Sequence, residues 1–494
     1  MRPPVGAPSF PGHPLDTPGP YDARMSDDDV TTGSVRPALP VPRGRVVAWA
    51  LWDWGSAAFN AVITTFVFTR WLTSSAFVDP DVVDAASAEG TAGGPGTALL
   101  DAVVADHSAW LGWGLTAAGL LIALLAPVAG ARSDDTGRRR LWLGIHTAVT
   151  VLISAAMFLV TPDPASLEQN LLLGIFLLAA GNIFFELASV NYNATLSQVS
   201  TPRNVGRISG LGWGAGYLGG IVLLLILFVG FINPETGWFG VSDENGLDIR
   251  AAVLFSAVWF GVFAVPVLVA VPEVPRTEAR ARLGFLASYR QLFRDVATLW
   301  RERRATVTFL LASAVYRDGL AGVFTFGAVI ASGTFGFTAG GVIVFAIAAN
   351  VVAGVATIVG GYLDDRVGAK AIIVTSLVGL LLSGSMVFLL HEGGQTVFWV
   401  FGLLLCLFVG PAQSSSRTLL ARLIPPGRES EIFGLYATTG RAASFLAPLA
   451  FSTFIAVTGS QHWGIVGIML VVAAGLVALL PIKAGRPVRQ VTTV

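Results

Sequence analysis

About twelve long apolar segments constrain this chain more than any other feature of its sequence. Each is long enough for the roughly 20 residues that a helix needs to cross a lipid bilayer. Charged residues make up only 13% of the 494 residues, whereas soluble domains carry roughly 25%. The sequence therefore predicts an all-α membrane protein with twelve transmembrane helices, near 46–72, 109–131, 141–160, 170–197, 208–232, 250–271, 306–331, 337–362, 371–390, 397–423, 431–457 and 463–481.

The basic residues predict which side of the membrane each loop occupies. Arginine and lysine collect in alternate short loops, as in 132–140, 203–207 and 422–428, whereas the opposite loops, such as 79–106 and 235–244, are acidic. Positively charged short loops remain on the cytoplasmic side. Both termini are therefore expected to be cytoplasmic, in a multi-pass protein of the plasma membrane.

Composition divides the chain into five parts. The first residues are rich in proline and glycine and lack an apolar core of signal-peptide length, so a disordered tail is expected rather than a cleaved signal. Met25, within this tail, is a second candidate start. An arginine-rich middle segment has apolar residues at three- and four-residue spacing, which predicts an amphipathic helix at the membrane surface. The predicted parts are a cytoplasmic tail 1–44, a six-helix half 45–271, a cytoplasmic linker 272–305, a second six-helix half 306–482 and a cytoplasmic tail 483–494.

The second half of the chain repeats the first. One set of matched positions is 231 residues apart and a second set is 224 residues apart. At the second offset Asn193 corresponds to Arg417, and Tyr217 corresponds to Arg441. Two halves related by a parallel repeat are typical of transporters, with the substrate site between the halves near the middle of the membrane. The matched pairs are Gly130 with Gly361, Asp134 with Asp365, Gly137 with Gly368, Arg139 with Lys370, Pro202 with Pro426 and Gly210 with Gly434.

The loop after the second segment carries a motif that recurs in the second half. The later copy, from Gly361 to Lys370, resembles the G-x-L-x-D-R-x-G-R-K signature of the major facilitator superfamily, whereas the first copy departs from it at Arg132 and Asp135. The resemblance implies the major facilitator fold. The aspartate of each copy can lie at a helix N-terminus or pair with an arginine across the halves, which would latch the cytoplasmic side. The alternative is an ordinary basic loop with a turn glycine. The predicted gating residues are Gly130, Asp134, Gly137, Arg138, Gly361, Asp365, Arg366 and Gly368.

Five further stretches resemble a narrower family. The run from Trp52 to Phe59 is similar to the first-helix signature of the vacuole effluxer family, although Gly55 and Phe59 replace its usual Ala and Tyr. Residues 191–196, 206–220, 416–428 and 433–436 resemble its fourth, fifth, tenth and eleventh helices. The resemblance covers the membrane domain, about 45–482. It implies amino acids as a candidate substrate class and efflux as a candidate direction.

Polar residues inside the predicted spans mark a candidate solute path. A charged group facing lipid is costly, so it faces the bundle interior or a water-filled cavity. Arg317 or Arg441 is expected to hold a carboxylate, because a guanidinium binds one through paired hydrogen bonds. Asp53 or Glu186 is expected to hold an ammonium group or a coupling proton, with Glu186 the better proton carrier because its sequence neighbours are apolar. Each charge could instead form an ion pair that locks helices together. The candidate residues are Asp53, Asn60, Glu186, Asn193, Trp213, Tyr217, Arg317, Asp318, Gln413, Arg417, Tyr436 and Arg441.

These features predict a secondary active transporter that moves a small polar solute by alternating access as a monomer among membrane lipids. Protons are a candidate coupling ion, and the alternative function is a non-transporting membrane sensor or scaffold. The 31 basic and 31 acidic residues balance, which gives no reason to expect nucleic-acid binding. With Cys406 as the single cysteine and no HExxH, GxSxG or Walker motif, we expect no metal, no cofactor and no enzymatic activity. Substrate identity, direction and coupling ion stay open.

Overall fold

Every regular element in the described residues is a helix. The computed structural model describes residues 41–88, 94–273, 285–337, 339–424, 427–458 and 460–482. Within them, eleven helices are long and apolar enough to cross a membrane, and a final apolar helix has 17 residues, so the predicted all-helical architecture is confirmed. In chain order the helices are α1 Arg43–Leu72, α2 Pro95–Thr136, α3 Arg139–Leu159, α4 Leu167–Val199, α5 Val205–Ile232, α6 Leu247–Ala270, α7 Arg304–Gly333, α8 Ala339–Val367, α9 Ala369–Leu389, α10 His391–Leu423, α11 Glu429–Thr458 and α12 Trp463–Leu479.

The predicted tails lie almost wholly outside the described residues. Residues 1–40 and 483–494 are outside them, as are 274–284 of the linker, so the predictions for these segments stay predictions. The rest of the linker contains a helix, Phe285–Glu302. On this helix Leu299 is buried and Trp300 is 46% exposed.

Helix α2 is longer than its apolar core predicts. It begins at Pro95, well before the predicted start at 109, and ends at Thr136. Proline suits a first helical turn because its missing N–H has no intrahelical partner there. Gly137 ends the helix with φ 64°, a left-handed conformation that glycine adopts without a steric penalty.

Each half of the bundle has its own hydrophobic core. In the first half, the Trp52 ring stacks on Tyr192 at a centroid distance of 4.1 Å and meets Phe260 edge-on at 5.7 Å. In the second half, buried residues such as Phe309 and Tyr316 pack with α9, α10 and α12. A few residues of α2 and α4 join this second core, because the two halves touch along those helices.

The halves meet at one end of the bundle, which we call the basic end because the arginine-rich loops lie there. Helix α5 packs on α8, where a Cβ added to Gly210 would lie 2.8 Å from Cα of Gly361. Helix α2 packs on α11, where a Cβ added to Gly130 would lie 2.2 Å from the carbonyl oxygen of Ser430. Likewise a Cβ on Gly434 would lie 2.5 Å from the carbonyl oxygen of Ala126. We call these two helix pairs, together with the part of α10 that packs on α5 at Ser209 and Ser414, the seam. Its glycines are those that the repeat pairs, so the two halves contribute equivalent surfaces.

Helix α11 is broken, although the sequence predicts one continuous helix over 431–457. Its first segment, α11a, is Glu429–Ala443, and its second, α11b, is Leu446–Thr458. Pro448 has no N–H to continue the hydrogen bonding of α11a. Asp318 on α7 instead accepts a hydrogen bond from the Ala447 amide, with an N···O distance of 2.5 Å. The carboxylate thus caps α11b at the point where the backbone loses its helical partners.

A methyl group at Gly130 should open the seam. Gly130→Ala places Cβ against the backbone of α11a, and such overpacking costs about 1–3 kcal/mol, so we expect the ratio of closed to open protein to fall about fivefold or more. Ser430, fully buried at the seam, is the reporter. Thiol labelling of Ser430→Cys, with Cys406 replaced by alanine, should accelerate. Gly119→Ala on the same helix meets open space and is the matched control; equal labelling in both variants would contradict the close-packing role.

Candidate functional site

The aspartate of the first motif copy binds a helix N-terminus of the other half. Asp134, at the end of α2, accepts hydrogen bonds from the backbone amides of Ser430 at 3.1 Å and Glu431 at 2.9 Å. Both amides belong to the first turn of α11a, where N–H groups have no intrahelical partner and the helix dipole favours a negative charge. Arg139 Nε donates to the same carboxylate at 2.7 Å.

The second motif copy makes the reciprocal contact. Asp365, near the end of α8, accepts hydrogen bonds from the amides of Gly206 at 2.8 Å and Arg207 at 3.0 Å, in the first turn of α5. Arg422 lies between this carboxylate, at 3.5 Å, and Asp364, at 2.8 Å. Each half therefore gives one aspartate to the other half and offers one helix N-terminus in return. We call the contacts of Asp134 and Asp365 the two latches.

The arginines at the latches are not the ones selected from the sequence. Arg138 and Arg366 are exposed, whereas the buried Arg139 pairs with Asp134 and, across the seam, with Glu429 at 2.5 Å. Arg138 immediately precedes α3 and has a non-helical backbone, with φ −109° and ψ 47°. Arg139 is the first residue of the helix. The predicted glycines do form the turns: Gly137 and Gly368 have φ 64° and 95°.

Arg417 on α10 is the most connected charge in the seam. Its guanidinium donates to the Ser209 carbonyl at 2.7 Å, the Ser209 hydroxyl at 3.0 Å and the Asn193 side-chain oxygen at 3.1 Å. It also pairs with Asp53 at 3.3 Å, and its side chain is only 2% exposed. The Tyr192 hydroxyl donates to the same Asp53 oxygen at 2.8 Å. The structure therefore places Asp53, Asn193 and the buried Arg417 in one cluster between the halves.

A second ion pair joins the halves and remains open to solvent. Arg441, near the end of α11a, lies 3.2 Å from Glu186 on α4 and donates to Asn182 at 3.1 Å. The Glu186 and Arg441 side chains are 21% and 36% exposed. Because the partners belong to different halves, this pair can exist only in some arrangements of the two halves.

The adjacent residues Arg317 and Asp318 contact the two sides of the break in α11. The Arg317 guanidinium stacks on the Tyr436 ring of α11a, 3.8 Å from its centroid, and donates to the Tyr436 carbonyl at 3.4 Å. Asp318 caps α11b through Ala447. As expected for neighbours on a helix, the two side chains have separate partners.

Of the remaining candidate residues, Trp213 contacts the Arg417 cluster directly. Trp213 lies 5.1 Å from the Arg417 guanidinium. Tyr217 packs near Phe324 of α7 at a centroid distance of 6.3 Å. Gln413 is half-buried and Asn60 is exposed. Among the residues that the structure covers, no group of three or more His, Cys, Asp or Glu side chains could hold a metal ion.

Sequence reasoning missed three residues that contact these candidates. Asn182, which binds Arg441, lies one helical turn before Glu186, so the two share a face of α4. Ser209 binds Arg417 from α5. Tyr192, which binds Asp53, lies next to the selected Asn193 but on the inner face of its own half. Helical spacing from Glu186 could have found Asn182, whereas Ser209 and Tyr192 depend on contacts between helices that are distant in sequence.

The fold and the position of this site between two halves define a class of protein. The chain resembles the major facilitator superfamily proton:xylose symporter XylE, with a TM-score of 0.60 and 12% identity over 89% of this chain and 93% of that one. It also resembles the transporter FucP in its outward conformation, with a TM-score of 0.60 and 13% identity over 90% and 99% of the two chains. The protein therefore has the major facilitator fold.

The family follows from the sequence. Residues 42–492 match the model of the vacuole effluxer Atg22 like family, and the chain belongs to that family. An uncharacterized MFS-type transporter, YxiO, of Bacillus subtilis is 25% identical over 87% of this chain and 93% of that protein. Autophagy-related protein 22 of Cryptococcus neoformans is 25% identical over 60% of this chain. The matched region spans only 53% of the length of that fungal relative.

Proposed function

We propose that this protein is a secondary active transporter that exports a small polar solute, with amino acids as the substrate class, by alternating access coupled to protons. The observation that carries the proposal is the Glu186–Arg441 pair. It joins the two halves, it is partly exposed at 21% and 36%, and it lies beyond a seam that is closed at the basic end. A polar site that is closed at one end and contains a titratable carboxylate is what coupled transport requires.

The closed seam represents one of the two states of the cycle. The contacts between α2 and α11 extend from Gly130 to Thr438, whose hydroxyl donates to the Ala123 carbonyl at 3.1 Å. Those between α5 and α8 extend from Gly210 to Tyr217, which faces Gly354. Under the positive-inside rule the basic end is cytoplasmic, and the state is then outward-facing. We propose the plasma membrane as its location, with both termini in the cytoplasm and the monomer as the working unit.

Proton coupling is assigned to Glu186. Its carboxylate pairs with Arg441 of the other half, and its side chain is 21% exposed. Protonation would remove the charge that Arg441 binds and would release α4 from α11a. Breaking a pair between the halves is the step that links a proton to the movement of those halves.

Glu186→Gln should uncouple transport from the proton gradient. The amide cannot titrate, so accumulation of labelled amino acids in proteoliposomes driven by a pH gradient should fall about tenfold or more, whereas exchange at equal pH should persist. Glu235→Gln makes the same change at an exposed glutamate between α5 and α6 and should behave as wild type. Full gradient-driven uptake by Glu186→Gln would exclude this coupling role. If no solute moves under any gradient while a partner protein co-purifies, the sensor or scaffold alternative is correct.

A further inference from the structure

The three arginines near the middle of the bundle differ in what they bind. Arg417 has a carboxylate, an amide oxygen, a hydroxyl and a carbonyl as partners. Arg441 has the carboxylate of Glu186 and the amide oxygen of Asn182. Arg317 has only the ring and the carbonyl of Tyr436. Within the described residues, no carboxylate lies within ion-pair distance of Arg317.

The carboxylates near Arg317 all have other partners, so none of them compensates its positive charge. Asp53 neutralises Arg417 and Glu186 neutralises Arg441. Asp318 is adjacent to Arg317 in sequence, but its carboxylate caps the N-terminus of α11b, where it offsets the positive end of the helix dipole. An unpaired cation at this depth is costly and therefore implies a function.

The geometry of Arg317 leaves its donors free for a ligand. The guanidinium is half-buried, and its face covers the Tyr436 ring. Stacking uses the face of the group, so most N–H donors on its edge stay available, since only Nη1 donates, at the long distance of 3.4 Å. Gly440 provides space beside the group, because a Cβ there would lie 3.3 Å from Nη1. The aromatic ring thus holds the guanidinium in place, while most N–H groups on the edge of the guanidinium remain available to a ligand.

We propose that Arg317 binds the anionic group of the transported solute, and that this group is a carboxylate. Arg317 can have this role only if the protein is the transporter proposed above. A planar guanidinium matches a carboxylate through two parallel hydrogen bonds. Arg441 is the next residue after Gly440, so the Glu186–Arg441 pair lies beside the same turn of α11a. The carboxylate of the solute therefore binds next to the pair that joins the halves, and next to the break at which α11 can bend.

The test measures ligand binding separately from transport. Purified full-length protein is melted in the presence of the common L-amino acids, their amides and inorganic phosphate. Binding to the folded protein raises the melting midpoint. We expect at least one amino acid to stabilise the wild type while its amide does not. Arg317→Gln should weaken that binding about tenfold to a hundredfold, the value of a charge-assisted hydrogen bond, and Arg317→Lys should retain part of it.

Arg441→Gln is the comparison variant, because it removes the positive charge of a nearby arginine, on α11a, and leaves Arg317 on α7 in place. It should keep the preference for a carboxylate over its amide, even where it changes transport. Equal stabilisation by acid and amide, stabilisation by phosphate alone, absence of stabilisation by every carboxylate, or unchanged binding in Arg317→Gln would each overturn the assignment. If an amino acid binds through Arg317 but no solute crosses the membrane under any gradient, the transport function fails and the binding site stands. If transport proceeds while Arg317→Gln leaves selectivity intact, only the assignment fails.

Discussion

Arg417→Leu will destabilise the protein more than any other single change in the seam. The substitution leaves the Asp53 carboxylate in a buried site where its remaining side-chain partner is the Tyr192 hydroxyl. It also removes the donor from the Ser209 carbonyl. Removing one partner of a buried ion pair costs about 3–5 kcal/mol, because the other charge stays behind. We expect a large fall in the melting midpoint of the detergent-solubilised protein.

A double variant distinguishes the contribution of the Asp53–Arg417 ion pair to stability from that of the other contacts of Arg417. Asp53→Asn combined with Arg417→Leu removes the stranded charge and keeps an acceptor for Tyr192, so it should recover part of the lost stability. Arg417→Lys keeps the charge but lacks the planar guanidinium that reaches Ser209 and Asn193 together. Its melting midpoint should therefore lie between those of the wild type and Arg417→Leu. A wild-type midpoint in Arg417→Leu, or a double variant no more stable than that single variant, would contradict the buried pair.

Neutralising both latches should open the basic end. Asp134→Asn and Asp365→Asn each remove a negative charge from a helix N-terminus, where a partly buried charge is worth up to about 2 kcal/mol. The latches lie on separate helix pairs, so their effects should add. We expect each single change to raise the ratio of open to closed protein about tenfold and the double change to raise it about a hundredfold. Thiol labelling of Ser414→Cys, buried in the seam on α10, reports the opening, with Cys406 replaced by alanine.

The control for the latches is an aspartate at the opposite end of the bundle. Asp243, between α5 and α6, is exposed, and Asp243→Asn makes the same chemical change far from both latches. Its labelling rate should match the wild type. If thiol labelling of the double latch variant is no faster than that of this control, the aspartates have a local structural role and do not change the equilibrium between the closed and open states.

The seam and its latches could be predicted from the sequence, because their physical requirements are local. The close helix contact requires a glycine, and the latch requires an aspartate four residues later. Both halves contain this pattern, as Gly130 and Asp134 in the first and Gly361 and Asp365 in the second. The partners could not be predicted in the same way. The choice of Arg139 over Arg138 depends on where α3 begins, and a shift of one residue turns a side chain by about 100° around a helix.

The central site was harder to predict, because its pairs join residues that are hundreds of positions apart. The sequence selected Asp53, Glu186, Arg417 and Arg441 but left open which carboxylate meets which arginine. That pairing depends on the rotation of each helix within the bundle. The break in α11 has one local signal, Pro448, and a proline alone is compatible with a mild kink. The cap from Asp318, on another helix, completes the break.

The reciprocal latches make the two halves resemble the subunits of a symmetric dimer. In an isologous interface each subunit presents the same patch, so that residue i of one meets residue j of the other and the reverse. Asp134 meets the start of α11a, and its repeat Asp365 meets the start of α5, the repeat of α11a. A six-helix ancestor that paired with itself would already have contained both latches and both close glycine contacts of the closed seam. Joining two copies required only a linker, and the asymmetric charges Arg317, Arg417 and Arg441 could then be added to one copy without disturbing the surface by which the copies recognise each other.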